Sequence, residues 1–112
     1  MSLKKETSRE TQMFYLKVFR AKGEYLVTLC DPEVRGRSFV SNGVEIKIRD
    51  EFYGTNLFAE DEVISECKKA TSINAIGNKS VELLVKYGLV HPGAIHWFEL
   101  ENEKIGHVIM VR

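Results

Sequence analysis

The stretch Ser72–Val90, Ser-Ile-Asn-Ala-Ile-Gly-Asn-Lys-Ser-Val-Glu-Leu-Leu-Val-Lys-Tyr-Gly-Leu-Val, predicts a tight turn that leads into a helix. The turn is Ala75-Ile76-Gly77, because its glycine can adopt the positive φ of a sharp reversal. Asn78 is predicted to cap the helix, since its side-chain oxygen can accept a backbone N–H. Apolar residues then recur at helical spacing, at Val81, Leu84 and Val85. Gly88 is typical of the residue that closes a helix.

Outward from this stretch, the chain carries strand patterns on both sides. Alternating or apolar segments predict strands at Met13–Phe19, Glu24–Cys30, Val44–Ile48, Ile95–Glu99 and Ile105–Val111. Ala59–Thr71 is predicted as a helix, because acidic residues fill its first turn and lysines its last. The second helix is predicted over Asn78–Lys86, and Arg37–Gly43 is predicted as a connection that ends in an Asn-Gly turn.

This order of segments predicts an α+β domain over residues 13–112. Short links between the three early strands favour a mostly antiparallel sheet, with the two main helices packed on one face. Residues 1–12 are polar without an apolar period, and are predicted to form a flexible N-terminal arm.

Composition limits the classes of partner. The 112 residues include 16 Lys+Arg and 16 Asp+Glu, so the formal net charge is zero. Binding to a polyanion therefore needs a local patch of positive charge. Cys30 and Cys67 form no CxxC pair and are predicted to be reduced core thiols. No run approaches the roughly 20 apolar residues of a membrane span, so we expect a cytoplasmic protein with no membrane partner.

The start of the second helix is a candidate phosphate site. Gly77, Asn78, Lys79 and Ser80 would offer backbone N–H groups without an intrahelical acceptor, the positive end of the helix dipole and a lysine charge. The predicted helix, turn and helix resemble a single helix-hairpin-helix motif, which holds a nucleic-acid phosphate. An ordinary capped helix corner is the alternative.

A nucleotide-hydrolysis loop does not fit the same residues. Aligned on Lys79-Ser80, the pattern GxxxxGK[ST] needs glycines where Ile73 and Asn78 stand. It also needs a preceding strand, where a helix is predicted.

A second candidate surface lies on the predicted strands. Tyr15, Lys17, Lys47 and Arg49 alternate with core positions, and Arg20 and Lys22 follow in the adjoining turn. If the first and third strands share a sheet, these residues form a basic face with an aromatic ring, which suits phosphates and an unpaired base. A solvated sheet face with scattered charges is the alternative.

No residues form a catalytic or metal-binding pattern. His91, His96 and His107 lack a second ligand at helical spacing, and no nucleophile is followed by an evident base. We therefore predict no catalytic residues, no metal and no cofactor.

Several short runs, in order, resemble an uncharacterised archaeal family catalogued as domain of unknown function 424. The runs are Lys17-Val18-Phe19-Arg20, Leu29-Cys30-Asp31, Glu51-Phe52-Tyr53-Gly54, Asn74-Ala75-Ile76-Gly77, Gly88-Leu89-Val90 and Gly106-His107-Val108. The resemblance implies a small archaeal cytoplasmic protein of one domain with no established activity, and a loose association with RNA or translation.

Three hypotheses of function follow. The first is a non-catalytic RNA-binding module associated with ribosomes or translation. The second is a protein-interaction adaptor or subunit that uses the region Phe52-Tyr53-Phe58 or an exposed sheet edge. The third is an enzyme of unknown chemistry. The sequence leaves the choice between an RNA or ribosome partner and a protein partner open, and it does not determine the oligomeric state.

Overall fold

The computed structural model describes residues 12–112, apart from the side chains of Ser41 and Leu100. The predicted arm at residues 1–12 lies outside this range, except for Gln12. The strands are β1 (Met13–Ala21), β2 (Glu24–Cys30), β3 (Ser38–Ser41), β4 (Val44–Lys47), β5 (Leu57–Ala59), β6 (Ser72–Ile76), β7 (His96–Leu100) and β8 (Glu103–Val111). The α-helices are α1 (Asp50–Tyr53), α2 (Glu60–Lys69) and α3 (Asn78–Lys86), and Pro92–Ala94 forms one turn of 3₁₀ helix.

The main sheet has the strand order β5-β1-β2-β6-β8-β7, and β3 pairs with β4 in a separate two-stranded sheet. Neighbours in the main sheet are antiparallel except β2 and β6, which run parallel. The predicted α+β class with a mostly antiparallel sheet is therefore confirmed.

Alternation along the strands produces a hydrophobic cluster on each face of the sheet. Leu29 and its neighbour Cys30 belong to different clusters, because successive side chains of a strand point to opposite faces. The larger cluster joins Val27, Leu29, Ile73 and Val108 of the sheet to Val63, Cys67, Val81 and Leu84. The smaller cluster joins Cys30, Ile76 and Ile105 to Val34, Phe39, Ile48 and Tyr53.

Ser72–Ile76 is the largest departure from the prediction. It forms strand β6, in which Ile73 and Ala75 are fully buried, and it pairs with β2 and β8. Ser72–Ala75 does alternate polar and apolar residues as a strand does, but Gly77 and the helical spacing that follows it favoured a turn. The helix-hairpin-helix prediction is therefore wrong. A strand does precede Gly77, although the glycines of a nucleotide loop are still missing.

The third predicted strand forms, but in a different sheet. Val44–Lys47 pairs with Ser38–Ser41, a segment predicted as part of a connection. Asn42 and Gly43 have φ of 52° and 79°, which is the geometry of a two-residue hairpin turn. This local turn gives the strand a nearby partner, so the prediction that it neighbours the first strands is wrong. The alternation of Val44, Ile46 and Ile48 with Glu45 and Lys47 predicts that the three apolar side chains face the core, but Val44 is 62% exposed.

Both predicted main helices are confirmed. The helix expected at Ala59–Thr71 is α2, and the bounds of α3 agree with the prediction. Gly88 has a φ of 72°, and the Leu89 N–H donates to the Leu84 carbonyl at 2.9 Å, as expected for a glycine-terminated helix. The N-cap of α3 is Gly77 and not Asn78.

Candidate functional site

The N-terminus of α3 is capped from within the protein by Asp31. The backbone N–H groups of Lys79 and Ser80 donate to Asp31 Oδ2 at 2.9 Å and Oδ1 at 2.8 Å. The Ser80 hydroxyl also donates to Oδ1, at 2.6 Å. These N–H groups have no intrahelical acceptor, as predicted, but they are not free to bind a phosphate, because Asp31 accepts from both. The cause is the parallel pairing of Cys30 with Ile76, which brings the next residues, Asp31 and Gly77, together.

Gly77 is required by this cap. Its φ is 116°, and a Cβ at this position would lie 2.3 Å from Asp31 Cγ. Asp31 is 5% exposed. Burial raises the pKa of its carboxyl, while the hydrogen bonds from Ser80 and Lys79 oppose that rise. The carboxylate occupies the position that a bound phosphate would take at a helix start.

Asn78 and Lys79 also bond within the protein. The Asn78 side chain donates to the Lys104 carbonyl and accepts from the Gly106 N–H, both at 2.8 Å. It therefore connects α3 to β8. Lys79 Nζ lies 3.6 Å from the Glu33 carboxylate, and both side chains are largely exposed, so this ion pair contributes little stability.

Tyr15 and Lys17 lie on β1 beneath α1, and both are engaged. The Arg35 guanidinium lies 3.9 Å from the Tyr15 ring centroid and donates to the Tyr15 hydroxyl at 3.2 Å. The same guanidinium forms an ion pair with Asp50, with Arg35 Nη1 3.0 Å from Asp50 Oδ1. Lys17 Nζ donates to the Glu51 carbonyl at 2.8 Å. One face of the Tyr15 ring is thus covered by an arginine.

Lys47 and Arg49 are exposed but do not share a sheet with Tyr15 and Lys17. Lys47 ends β4, which pairs with β3, and Arg49 directly precedes α1. The predicted basic face is therefore divided between β1 of the main sheet and the separate hairpin.

A different set of basic residues meets at one end of the main sheet. The Arg112 N–H donates to the Thr71 carbonyl, and the Thr71 N–H donates to the Tyr25 carbonyl. The Arg112 side chain bonds to the carbonyls of Lys68 and Ala70. The exposed basic residues at this end, termed the basic end, are Arg20, Lys22, Lys68, Lys69 and Arg112. The acidic residues beside them are Glu24 and Glu66, so the local charge is positive.

Beside the basic end, part of one sheet face is open to solvent. Cross-strand pairing aligns Leu26 with Ser72 and Val111, and Asn74 with Ile109. Ile109 is 60% exposed and Val111 is 74% exposed. These residues, Leu26, Ser72, Asn74, Ile109 and Val111, are termed the open strip. They lie on the same face as Lys17, which aligns with Thr28 and Asn74.

Asn74 is the polar centre of the open strip. Its Oδ1 accepts from the Tyr53 hydroxyl at 2.8 Å and lies 3.0 Å from His107 Nε2. Because Oδ1 can only accept, His107 carries its proton on Nε2. Burial and the neighbouring His96 lower the pKa of His107, and burial raises the pKa of Tyr53.

Sequence reasoning found Lys17, Arg20 and Lys22 but missed the rest of these surfaces. Lys68 and Lys69 were assigned only to the helix dipole. Recognising Ser72–Ile76 as a strand parallel to β2 would have placed the end of α2 beside the β1–β2 turn, because a crossover returns the chain to the start of the neighbouring strand.

The described residues show neither a metal-binding cluster nor a membrane-spanning helix. Over residues 12–112, no group of three or more His, Cys, Asp or Glu side chains is placed to hold a metal ion. Within the same range, no helix is long and apolar enough to cross a membrane.

Comparisons with known proteins identify a family and a fold. The chain is similar to the crystal structure of an uncharacterized conserved protein from Methanopyrus kandleri, with 22% sequence identity and a TM-score of 0.72. The match covers 88% of this chain and 90% of that chain, and it shows a shared fold. No curated protein matches the chain. The family described as "Protein of unknown function (DUF424)" matches residues 19–108. The chain therefore belongs to the DUF424 family, as its ordered sequence runs suggested.

Proposed function

We propose that this protein is a non-catalytic RNA-binding module associated with ribosomes or translation. The observation that supports it most is the basic end, where Arg20, Lys22, Lys68, Lys69 and Arg112 meet in a chain with zero formal net charge. A local cluster of this kind attracts the phosphates of a nucleic acid even when the whole protein is neutral.

We infer further that α2 and α3 cover one face of the sheet and leave the open strip on the other. Buried residues of both helices belong to the larger cluster, with Val27 and Ile73 of the sheet. The open strip uses the alternate strand positions, such as Leu26 and Asn74. A single RNA strand whose phosphates lie at the basic end therefore has to pass over the end of the sheet for its bases to contact the apolar side chains of the open strip.

The proposed surface keeps part of the predicted site. Lys17 lies on the same face as the open strip and belongs to the surface, because the Glu51 carbonyl takes one of the three N–H donors of its ammonium group. Gly77–Ser80 and Tyr15 are not part of the proposed surface. The N–H groups of Lys79 and Ser80 donate to Asp31, and Arg35 lies over the Tyr15 ring. Lys47 and Arg49 lie on or beside the separate hairpin and serve as a comparison surface.

The test is to titrate a single-stranded RNA oligonucleotide into the protein at several salt concentrations. Lys22→Ala and Lys68→Ala each remove a basic-end charge. Each should weaken binding and reduce the salt slope by about 0.7, the value for one phosphate contact with a single strand. Lys47→Ala is the matched control, an exposed lysine outside the surface, and should leave both quantities unchanged. Equal effects of all three variants, or no binding by the wild type at low salt, would contradict the proposal.

An adaptor role is the second candidate, supported by the edge strand β7. Trp97 on this strand is 48% exposed, and exposed tryptophans on sheet edges are frequent anchors of protein partners. Crosslinking in native cell extract would favour this role if it captures a protein that Trp97→Ala loses and Lys22→Ala retains.

The RNA-binding proposal places the protein in the cytoplasm. RNA and ribosomes are available there, and unpaired thiols such as Cys30 and Cys67 stay reduced.

A further inference from the structure

We propose that Asn74 recognises an unpaired RNA base that carries a carbonyl oxygen, through its side-chain Nδ2–H₂ group. This inference rests on the proposed RNA-binding function and specifies which base that surface prefers. Uracil is the simplest base of this class, and adenine is the base without a carbonyl.

The Asn74 amide is held in one orientation. Tyr53 donates to Oδ1 from α1, and His107 donates to the same oxygen from β8. A planar amide with its oxygen fixed by two donors has its Nδ2 fixed as well. The donor is therefore positioned before any ligand arrives, which reduces the entropy cost of binding.

The free end of the amide faces solvent. Residues 12–112 provide no hydrogen-bond partner for Asn74 Nδ2, whereas every buried side-chain nitrogen and oxygen atom in that range has one. Nδ2 is therefore accessible to water, and a ligand acceptor can replace that water. Since Oδ1 is already occupied, the amide acts toward a ligand chiefly as a donor, which a base carbonyl satisfies.

The surroundings of Asn74 suit a base rather than an isolated small anion. Ile109 lies directly across the strand pair, and Leu26 and Val111 lie one pair further along the same face. These apolar side chains offer van der Waals contact to the flat face of a base. The basic end adjoins Leu26 and Val111 along the strands, but the side chains of Arg20 and Arg112 lie on the α2 side of the sheet, over Tyr25 and at the end of α2. An RNA strand with a phosphate bound there passes over the end of the sheet before a base reaches the open strip.

The alternative is that the hydrogen bonds among Tyr53, Asn74 and His107 have a purely structural role. In that case Tyr53, Asn74 and His107 only connect α1 and β8 through the centre of the sheet. Replacing the amide would then change stability but leave the preference between bases unchanged. The ratio of affinities for two homopolymers therefore separates the two roles.

The experiment measures the dissociation constants of oligouridylate and oligoadenylate of equal length for the wild type and two variants. Asn74→Asp keeps acceptors for Tyr53 and His107 but removes the Nδ2 donor. Ser72→Asp is the matched control, because it adds the same charge two residues earlier on the same face and leaves Asn74 intact. We expect Asn74→Asp to lower the preference for uridylate over adenylate by roughly 2- to 10-fold, the range of one neutral hydrogen bond. Ser72→Asp should weaken both ligands equally.

The outcomes distinguish this inference from the proposal on which it rests. If the wild type binds RNA and Asn74→Asp leaves the uridylate-to-adenylate ratio unchanged, the base-recognition inference is wrong and the RNA-binding proposal stands. If the wild type binds neither oligonucleotide at low salt, both are wrong. Thermal unfolding of each variant shows whether it is folded. Should Asn74→Asp be unfolded, Asn74→Ser serves as the second variant, because it also removes the amide donor and adds no charge.

Discussion

The Asp31 carboxylate fills the space that a side chain on Gly77 would need, with Asp31 Cγ 2.3 Å from the position of that missing Cβ. Strand β2 is therefore followed directly by an acidic residue that satisfies the start of α3, and a residue without a side chain is needed where the two meet. This relationship explains why a sequence that suggests a phosphate site forms an internal helix cap.

Gly77→Ala should destabilise the protein strongly. The new methyl group would overlap Asp31, and the φ of 116° is unfavourable for alanine. We expect a loss of about 3 kcal/mol or more in the free energy of unfolding, measured by urea denaturation. Gly88→Ala is the matched control. It also has a positive φ, of 72°, but no atom within 4 Å of a new Cβ, so it should cost about 1 kcal/mol. Similar losses in both variants would show that Asp31 moves away easily.

Asp31→Asn should weaken the cap of α3. The amide keeps one acceptor oxygen and places an NH₂ group where the carboxylate now accepts a backbone N–H. We expect a loss of about 2 kcal/mol in the free energy of unfolding. Glu33→Gln removes a nearby exposed carboxylate that forms an ion pair with Lys79, and should change stability by less than about 0.5 kcal/mol. If the two variants lose the same stability, the cap is not the source of the effect.

Acidification should destabilise the fold through His107. Burial, with His96 nearby, lowers the pKa of His107 below its ordinary value of 6.5. Near that pH the unfolded chain binds the proton more readily than the folded protein, so the free energy of unfolding falls as the pH drops through 6.5 toward the folded-state pKa. Below both pKa values this contribution becomes constant.

Two measurements check the His107 prediction. An NMR titration should give an imidazole pKa below 6.5 for His107. Urea unfolding at about pH 7.5 and about pH 5.5 should show a smaller loss in His107→Gln than in the wild type, because glutamine cannot be protonated yet keeps a donor for Asn74. An equal loss in the two proteins would assign the pH effect to other groups.

The two cysteines should react only after unfolding. Cys30 and Cys67 have no exposed surface, and burial raises the pKa of both thiols, that of Cys67 to about 12. The reactive thiolate is therefore both scarce and inaccessible. A thiol reagent should label the native protein slowly and the urea-unfolded protein fully. Ser65→Cys places a thiol on the exposed side of α2, and should be labelled at once. Rapid labelling of the native wild type would disprove the burial of these thiols.

Local signals in the sequence predicted the helices well. The acidic first turn and basic last turn of α2, and the apolar spacing and final glycine of α3, all act within one element. Patterns of this kind need no knowledge of the rest of the fold. The family, too, was identified from short runs in a fixed order.

Pairing between distant segments could not be predicted in the same way. The five residues Ser72–Ile76 become a strand because their backbone groups form hydrogen bonds with β2 on one side and β8 on the other, and the two clusters bury the side chains of Ile73, Ala75 and Ile76. For Val44–Lys47 a local signal is decisive instead: the tight turn after β3 pairs this strand with β3 and keeps it out of the main sheet. Without the strand order, the sequence could not show that Asp31 caps the helix after Gly77, or that the basic residues of the basic end lie close together.

The parallel pairing of β2 with β6 has a consequence for how the protein folds. Roughly 40 residues separate the two strands along the chain, so closing this contact carries the entropy cost of a long loop. During synthesis β1 and β2 emerge first and can form their hairpin, but both faces of β2 are apolar and need residues made later. The core is therefore completed late, when β6, α3 and β8 have left the ribosome, and nascent chains that stop before Ser72 would expose the residues that later become the centre of the sheet.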